Sequence, residues 1–237
     1  WLRLPGWIGP GKKKAARSGL LDISQALVLT GPNVSPEDDL EQKSFYSVLN
    51  VFGLNPGTRS AGDAVRLPLG RYSLVVVPQA AARGMKQAEI NAVWDYVSAG
   101  GRLVIGGPSP LAAALGVRFA SDQAEVREVK EATLPSENLS WDPPVILQPL
   151  LGEDLTVLAK DAGGEAVLAA VKPLGKGRIL CLAAPFDPLT PYGISRYPHF
   201  PLYLRDGLLL TFNVRRDTLE FYFDPGLRQG SSLEKLA

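Results

Sequence analysis

Short apolar runs alternate with helical segments along the first half of the chain, and this alternation restricts the fold more than any other feature. Residues 26–30 (ALVLT), 72–78 (YSLVVVP) and 102–107 (RLVIGG) have the length and composition of buried strands. Strands that alternate with helices over short connections form a parallel sheet covered by helices on both faces, with right-handed crossovers. The sequence therefore predicts an α/β fold with an open, mostly parallel sheet.

Two helices are predicted from the residues at which they begin. Ser35 is a good N-cap, Pro36 suits the first helical position, and acidic residues fill the first turn, where the helix dipole favours them. We expect this helix to end near Gly53. The third apolar run enters a glycine turn, after which Ser109 can cap a helix that begins at Pro110.

Residues 85–101 (MKQAEINAVWDYVSAGG) carry the clearest helical pattern in the chain. Ile90, Val93, Trp94 and Val97 recur at positions i, i+3, i+4 and i+7 and predict one buried face. The two glycines at the end of the segment suit a left-handed C-terminal cap.

The pattern changes in the second half of the chain. Residues 117–172 alternate in part between apolar and polar side chains, and glycine turns at 163–164 and 175–177 are typical of hairpins. We expect antiparallel strands that extend one edge of the sheet. A closing helix is predicted at 199–212 and a final strand and turn at 219–226.

These elements divide the chain into an N-terminal arm or linker (1–24), one α/β domain (25–216) and a final strand and tail (217–237). The arm begins with Trp1 and is compatible with a segment that follows a removed signal or anchor. The short lysine run 12–14 is interpreted as a solvated part of this arm, in preference to a phosphate-binding patch.

The composition excludes several classes of protein. The chain is 46% hydrophobic and 21% charged, which is typical of a globular domain, and its net charge of +1 gives no basic face for nucleic acid. No apolar run reaches the roughly 18 residues of a membrane span. Cys181 is the single cysteine, so no internal disulfide forms; it lies in an apolar run and is interpreted as a buried core thiol. Neither glycine-rich phosphate-binding motif occurs, and we expect no cofactor.

A metal site is also not expected. Glu37, Asp38, Asp39 and Glu41 are adjacent on the first helix, and their spacing spreads them around its axis instead of directing them at one point. One histidine and one cysteine exclude a typical structural zinc set. The four acidic residues are interpreted as a favourable helix N-terminus.

Residues 72–107 resemble the core of class I glutamine-amidotransferase-like domains, which have a flavodoxin-like fold. The resemblance lies in a strand that ends in proline, a helix that ends in AGG, and a strand that enters a glycine turn. Residues 172–187 (KPLGKGRILCLAAPFD) are similar to the late hairpin of the same family. Together the similar region covers about residues 30–187.

The resemblance implies that glutaminase chemistry is absent. Active members of the family use a cysteine at the elbow after the fourth strand, with a histidine and a glutamate after a later strand. The elbow here falls at residues 106–109 (GGPS) and has no cysteine. The later motif corresponds to residues 186–189 (FDPL), where Asp187 replaces the histidine and Leu189 the glutamate.

A second resemblance concerns residues 190–210 and 217–237. They are similar to the junction, in some secreted bacterial proteins, between such a domain and a polysaccharide-deacetylase-like or glycosidase-like barrel. The resemblance implies a covalently linked or associated glycan-processing domain and a bacterial protein outside the cytoplasm.

Ligands of open parallel sheets bind beyond the carboxyl ends of the strands. Candidate ligand-binding residues therefore follow the predicted strands, and a loop near the C-terminus adds two phenols, a guanidinium and the single imidazole. The two tyrosines suit stacking on sugar rings, and the arginine suits a carboxylate or phosphate. The candidates are Asn33, Gln79, Ser109, Asp187, Tyr192, Arg196, Tyr197 and His199.

Three functions are compatible with these residues. The first is a non-catalytic accessory domain that binds carbohydrate or a partner domain. The alternative is a serine-type hydrolase acting on a glycan or ester, with Ser109 or Ser195 as nucleophile, His199 as base and Asp187 as the orienting carboxylate. Ser109 does not fit the G-x-S-x-G pattern. The third is a structural spacer, in which Arg196 pairs with Asp187 to fix a rigid turn.

Overall fold

The computed structural model describes residues 26–32, 35–51, 56–132, 135–136 and 138–183. Within them, eleven strands and four α-helices follow one another. The strands are β1 Ala26–Thr30, β2 Gly57–Ser60, β3 Leu74–Val77, β4 Arg102–Gly106, β5 Arg118–Phe119, β6 Ala124–Glu131, β7 Leu139–Leu147, β8 Leu150–Leu151, β9 Thr156–Asp161, β10 Val167–Leu174 and β11 Gly177–Leu182. The helices are α1 Pro36–Val51, α2 Gln79–Arg83, α3 Gln87–Ser98 and α4 Pro110–Ala114, with short 3-10 helices at Ala61–Asp63 and Leu69–Arg71.

The eleven strands form one sheet, whose main path has the order β2-β1-β3-β4-β11-β10-β9-β6-β7. The first five strands of this path are parallel. They have the 2-1-3-4-5 order of flavodoxin-like folds. The strands from β10 outward are antiparallel, and β8 pairs with β10 and β5 beside the main path. The predicted α/β class, with an open parallel sheet extended at one edge by antiparallel strands, is confirmed. Among the described strands, parallel pairing is confined to these five.

Helices cover both faces of the parallel strands. The connection from β1 to β2 runs toward one edge of the sheet, whereas the connections to β3, β4 and β11 run the opposite way. Right-handed crossovers therefore place α1 on one face and the later helices on the other. In agreement, α1 packs on β1, while α3 contacts α4 and both 3-10 helices.

The core is centred on β1, β3 and β4. All four side chains of β3 and the central residues of β1 and β4 have no exposed surface. Because helices lie above and below these strands, both sets of alternating side chains are buried, and the strands are continuously apolar. Each buried Val or Leu contributes about 1.5–3 kcal/mol to the free energy of folding.

The buried face of α3 differs from the predicted one at a single position. Ile90, Val93 and Val97 are buried as expected, but Trp94 is 43% exposed, and Tyr96 is buried in its place. The Tyr96 hydroxyl accepts a hydrogen bond from the Arg102 backbone N at 3.1 Å and lies 3.0 Å from the Arg102 carbonyl. The tyrosine is therefore buried because its polar end has backbone partners at the start of β4.

The turn between β10 and β11 is the predicted hairpin. Leu174 pairs with Gly177, so Gly175 and Lys176 form a two-residue turn, with Gly175 at a φ of +57°. Gly177 is required for a different reason, because a Cβ there would lie 2.1 Å from the carbonyl oxygen of Val97. The hairpin thus packs directly against the end of α3.

Several predictions fall on residues outside the described ranges. They are the arm 1–24 with its lysine run, the closing helix 199–212, the final strand 219–226 and the domain boundary at 216–217. Helix α1 is described to Val51, so its predicted end near Gly53 also lies outside.

Candidate functional site

The order of the parallel strands defines where a ligand site is expected. The chain leaves β1 toward one edge of the sheet and leaves β3 toward the other, so the crevice between their carboxyl ends is the topological switch point. Among the described residues, this edge carries Thr30, Gln79 and the turn 107–109. The structure therefore brings two predicted site residues, Gln79 and Ser109, to the same edge.

Gln79 lies against the turn that follows β4. Gly107 has a φ of +60°, and a Cβ built on it would lie 2.2 Å from Gln79 Nε2. The Gln79 carboxamide also approaches the Pro108 carbonyl, with 3.5 Å between Nε2 and the oxygen. The space into which a side chain at the turn would project is therefore filled by Gln79.

The position of Gln79 depends on a buried carboxylate that was not among the predicted site residues. Glu41 is 1% exposed, and its Oε2 accepts a hydrogen bond from the Gln79 backbone N at 3.0 Å. Glu41 stands one helical turn before the buried Phe45, on the face of α1 that meets the sheet. An acidic residue in register with a buried apolar stripe was the sequence signal for it.

The other described acidic side chains at the start of α1 point to different partners. Asp38 pairs with Arg83 of α2 at 3.0 Å, and Asp39 pairs with Lys43 at 2.5 Å within the helix. Each of these two carboxylates therefore has a cationic partner of its own. Within the described part of the chain, no group of three or more His, Cys, Asp or Glu side chains is placed to hold a metal ion.

Ser109 has the structural role that its sequence context indicated. It is the N-cap of α4, and its Oγ accepts a hydrogen bond from the Ala112 backbone N at 3.1 Å. Pro110 occupies the first turn of that helix. The geometry describes a helix cap and gives the Ser109 hydroxyl no basic partner in the described residues.

Cys181 is the buried core thiol that the sequence predicted. It has no exposed surface and lies in β11, next to Ile105 of β4. Burial raises the pKa of the thiol to about 12. Because a nucleophilic cysteine has to be exposed and ionised, Cys181 is unsuited to catalysis.

Thr30, at the end of β1, donates a hydrogen bond from Oγ1 to the Arg59 carbonyl and so joins β1 to β2.

The remaining candidate residues lie outside the described ranges. They are Asn33, which follows β1 by three residues, and the whole C-terminal part of the candidate site. That part comprises Asp187, Tyr192, Ser195, Arg196, Tyr197 and His199.

The fold is similar to part of a β-galactosidase from Bacillus circulans sp. alkalophilus. The TM-score is 0.55 and the sequence identity 16%, over 80% of this chain and 30% of that chain. The chain therefore spans less than a third of the length of that enzyme. No protein-family model matches the chain, and no curated protein matches it by sequence.

Two smaller proteins are similar over most of their own length. A cytoplasmic protein from Salmonella typhimurium LT2 has a TM-score of 0.51 at 16% identity, over 79% of this chain and 99% of that chain. A ThuA-like protein from Bacteroides uniformis ATCC 8492 has a TM-score of 0.50 at 13% identity, over 73% of this chain and 86% of that chain. ThuA-like proteins have a glutamine-amidotransferase-like fold, so the predicted resemblance is confirmed for the fold.

Two further expectations concern membrane-spanning helices and the C-terminal residues. In the ranges that the structure describes, no helix is both long enough and apolar enough to cross a membrane. The resemblance of the C-terminal residues to a junction with a deacetylase-like or glycosidase-like barrel stays a prediction, because those residues are not described.

Proposed function

We propose that this chain is a non-catalytic accessory α/β domain of a glycan-processing protein, and that it binds carbohydrate or a partner domain at the carboxyl edge of its parallel strands. The proposal joins two observations. One is the filled turn after β4, and the other is the likeness to a domain-sized part of a β-galactosidase.

The filled turn carries the non-catalytic part of the proposal. In active members of the amidotransferase-like family that the sequence resembles, the nucleophile lies at the turn after the fourth strand, which corresponds to the turn after β4. Here that turn has Gly107, whose outward space holds the Gln79 side chain. The neighbouring Ser109 hydroxyl accepts the capping hydrogen bond of α4, and Cys181 is buried in the sheet.

The structural similarity to part of a β-galactosidase supports the glycan-related part of the proposal. A fold like this one occupies 30% of that enzyme, so such a domain occurs within a glycosidase chain. The predicted site adds chemistry that suits sugars, because Tyr192 and Tyr197 offer aromatic faces and Arg196 offers hydrogen-bond donors. In this proposal, Gln79 supplies an amide at the floor of the crevice.

The experiment is a binding screen of the full chain against a panel of soluble polysaccharides that includes galactan, by affinity gel electrophoresis. Tyr192→Ala, Arg196→Ala and Tyr197→Ala are expected to weaken binding about tenfold or more, as the loss of an anchoring side chain does. Tyr46→Ala, which removes an exposed tyrosine of α1, is the matched control and should bind as the parent chain does.

The partner-domain form of the proposal has its own measurement. Chemical cross-linking of the chain to the catalytic domain of a glycosidase, followed by mass spectrometry, should identify cross-links at residues near 79 and 187–199. If the parent chain binds no polysaccharide of the panel and gives no such cross-link, the proposed function is wrong.

A further inference from the structure

The outer face of α3 carries a large aromatic side chain that the core does not use. Trp94 is 43% exposed, although Ile90, Val93 and Val97 of the same helix are buried. Indole side chains bury much apolar area and are enriched where proteins bind ligands or partners. An exposed tryptophan on a well-packed helix is therefore a candidate contact residue.

The residues beside Trp94 are neutral hydrogen-bonding groups. Gln87, Asn91 and Trp94 follow one another at positions i, i+4 and i+7, so they share one side of the helix, and Asp95 adjoins them. All four are exposed. We call this set the outer stripe of α3 (Gln87, Asn91, Trp94 and Asp95).

The two amides of the outer stripe are hydrogen-bonded to each other. Gln87 Nε2 donates a hydrogen bond to Asn91 Oδ1 at 2.8 Å. Such a pair at positions i and i+4 favours one relative arrangement of the two exposed carboxamides. The Asn91 amide N–H groups and the Gln87 carbonyl oxygen have no further hydrogen bond among the described residues and can bond a ligand.

The helix that carries the stripe is anchored at its N-terminus and along its inner face. Its N-terminus is closed by a hydrogen bond from the Lys86 backbone N to Glu89 Oε2 at 2.7 Å. Its inner face is held by the core and by the Tyr96 hydroxyl, which bonds to the start of β4. A site on such a helix loses little conformational entropy when a ligand binds.

The chemistry of the stripe favours a sugar over other occupants. A pyranose ring has an apolar face that packs on an indole, and its hydroxyls both donate to and accept from amides and carboxylates. The stripe contains no lysine or arginine, so it does not suit a phosphate or an acidic polymer. A largely apolar protein partner would leave the amides of Gln87 and Asn91 without hydrogen bonds to it.

We propose that the outer stripe of α3 is a carbohydrate-binding site, in which Trp94 stacks on a sugar ring and Asn91, Gln87 and Asp95 bond its hydroxyls. This site is separate from the crevice at the carboxyl ends of β1 and β3, and it rests on the proposed function only in that both take a carbohydrate.

The test is affinity gel electrophoresis of the full chain in soluble galactan. Trp94→Ala is expected to weaken retardation by galactan about tenfold or more, and Trp94→Phe to keep part of it. Asn91→Ala should weaken it less. Ile146→Ala, which truncates another exposed apolar side chain on β7, is the matched control and should not change it. Thermal unfolding of each variant shows that the fold is kept.

Each outcome of this test either supports or contradicts a carbohydrate site on the outer stripe of α3. Loss of galactan binding in Trp94→Ala, with binding kept in Ile146→Ala, supports the inference. If Trp94→Ala binds galactan as the parent chain does while Tyr192→Ala does not, the inference is wrong and the carboxyl-edge proposal stands. If the parent chain does not bind galactan, or if Trp94→Ala loses a protein partner and no glycan, the inference is also wrong.

Discussion

The side chain of Gln79 lies over the Cα of Gly107, so closely that a Cβ at position 107 would be 2.2 Å from Gln79 Nε2. The two residues belong to different strand-to-helix connections, one after β3 and one after β4. Their contact fills the space beside Gly107 in the turn that follows β4. This contact therefore requires a glycine at 107 and a flexible amide at 79.

We expect Gly107→Ala to lower the free energy of unfolding by about 1–3 kcal/mol, because alanine is strained at a φ of +60° and its methyl group displaces Gln79. Urea denaturation measures the change. In a Gln79→Ala background the steric part of this loss should disappear and the backbone part remain, so the two substitutions should be non-additive. Gly70→Ala, where a Cβ meets no atom within 4 Å, is the control. Additive effects at 79 and 107 would contradict the contact.

Glu41 should matter more for stability than the exposed ion pair beside it. Glu41→Ala removes the buried acceptor of the partly buried Gln79 backbone N–H, and we expect it to lower the free energy of unfolding by about 1–3 kcal/mol. Asp38→Ala removes only the more exposed pair with Arg83, which is worth about 0.2–1 kcal/mol. Denaturation of both variants under the same conditions compares them. Equal losses would show that Glu41 does not anchor Gln79.

The buried Tyr96 phenol makes stability depend on pH in the alkaline range. Desolvation raises its pKa to about 12, although the hydrogen bond from the Arg102 backbone lowers it. The unfolded chain releases this proton near pH 10, before the folded chain does, so stability is complete below pH 10 and falls as the pH rises toward 12. We expect the ionisation of Tyr96 to lower the free energy of unfolding by up to about 2–3 kcal/mol over that range. Tyr96→Phe should flatten the decline between pH 10 and 12, measured by urea denaturation; an unchanged slope would contradict the burial of the phenol.

The strands and helices of the parallel part were predictable because strong local patterns specify them. The apolar runs of β1, β3 and β4 are buried on both faces, so their burial is visible in composition alone. The sequence pattern predicts Trp94 on the buried face of α3, but Trp94 is exposed because it lies at the margin of that apolar face. The backbone partners that draw Tyr96 inward belong to β4, outside the helix.

The candidate site was less predictable than the fold because its contacts join residues that are far apart in sequence. Glu41 and Gln79 are 38 residues apart, and no local periodicity relates them. Gln79 and Ser109 were placed correctly at the carboxyl edge, since the strand-end rule needs only the order of the elements. Whether each side chain faces a ligand or fills a turn depends on the packing of the whole edge.

Cys181 should be unreactive while the chain is folded. The thiol has no exposed surface, and its raised pKa keeps it protonated at neutral pH. We expect iodoacetamide to leave Cys181 unmodified in the native protein and to alkylate it fully in concentrated urea, as mass spectrometry of the intact chain would show. Rapid alkylation under native conditions would contradict the burial of β11 and reopen a thiol-based activity.

Ser109 separates the accessory-domain proposal from the serine hydrolase. As the N-cap of α4 it should tolerate Asn, which caps a helix equally well, whereas Ser109→Ala should lower the free energy of unfolding by about 0.5–2 kcal/mol. A nucleophile would tolerate neither replacement. We therefore expect a fluorophosphonate probe to leave the parent chain unlabelled and Ser109→Asn to melt at the parent temperature. Labelling that is lost in Ser109→Asn and in His199→Ala would overturn the proposal of a non-catalytic domain. Labelling lost only in Ser195→Ala would also overturn it and would place the nucleophile in the C-terminal loop.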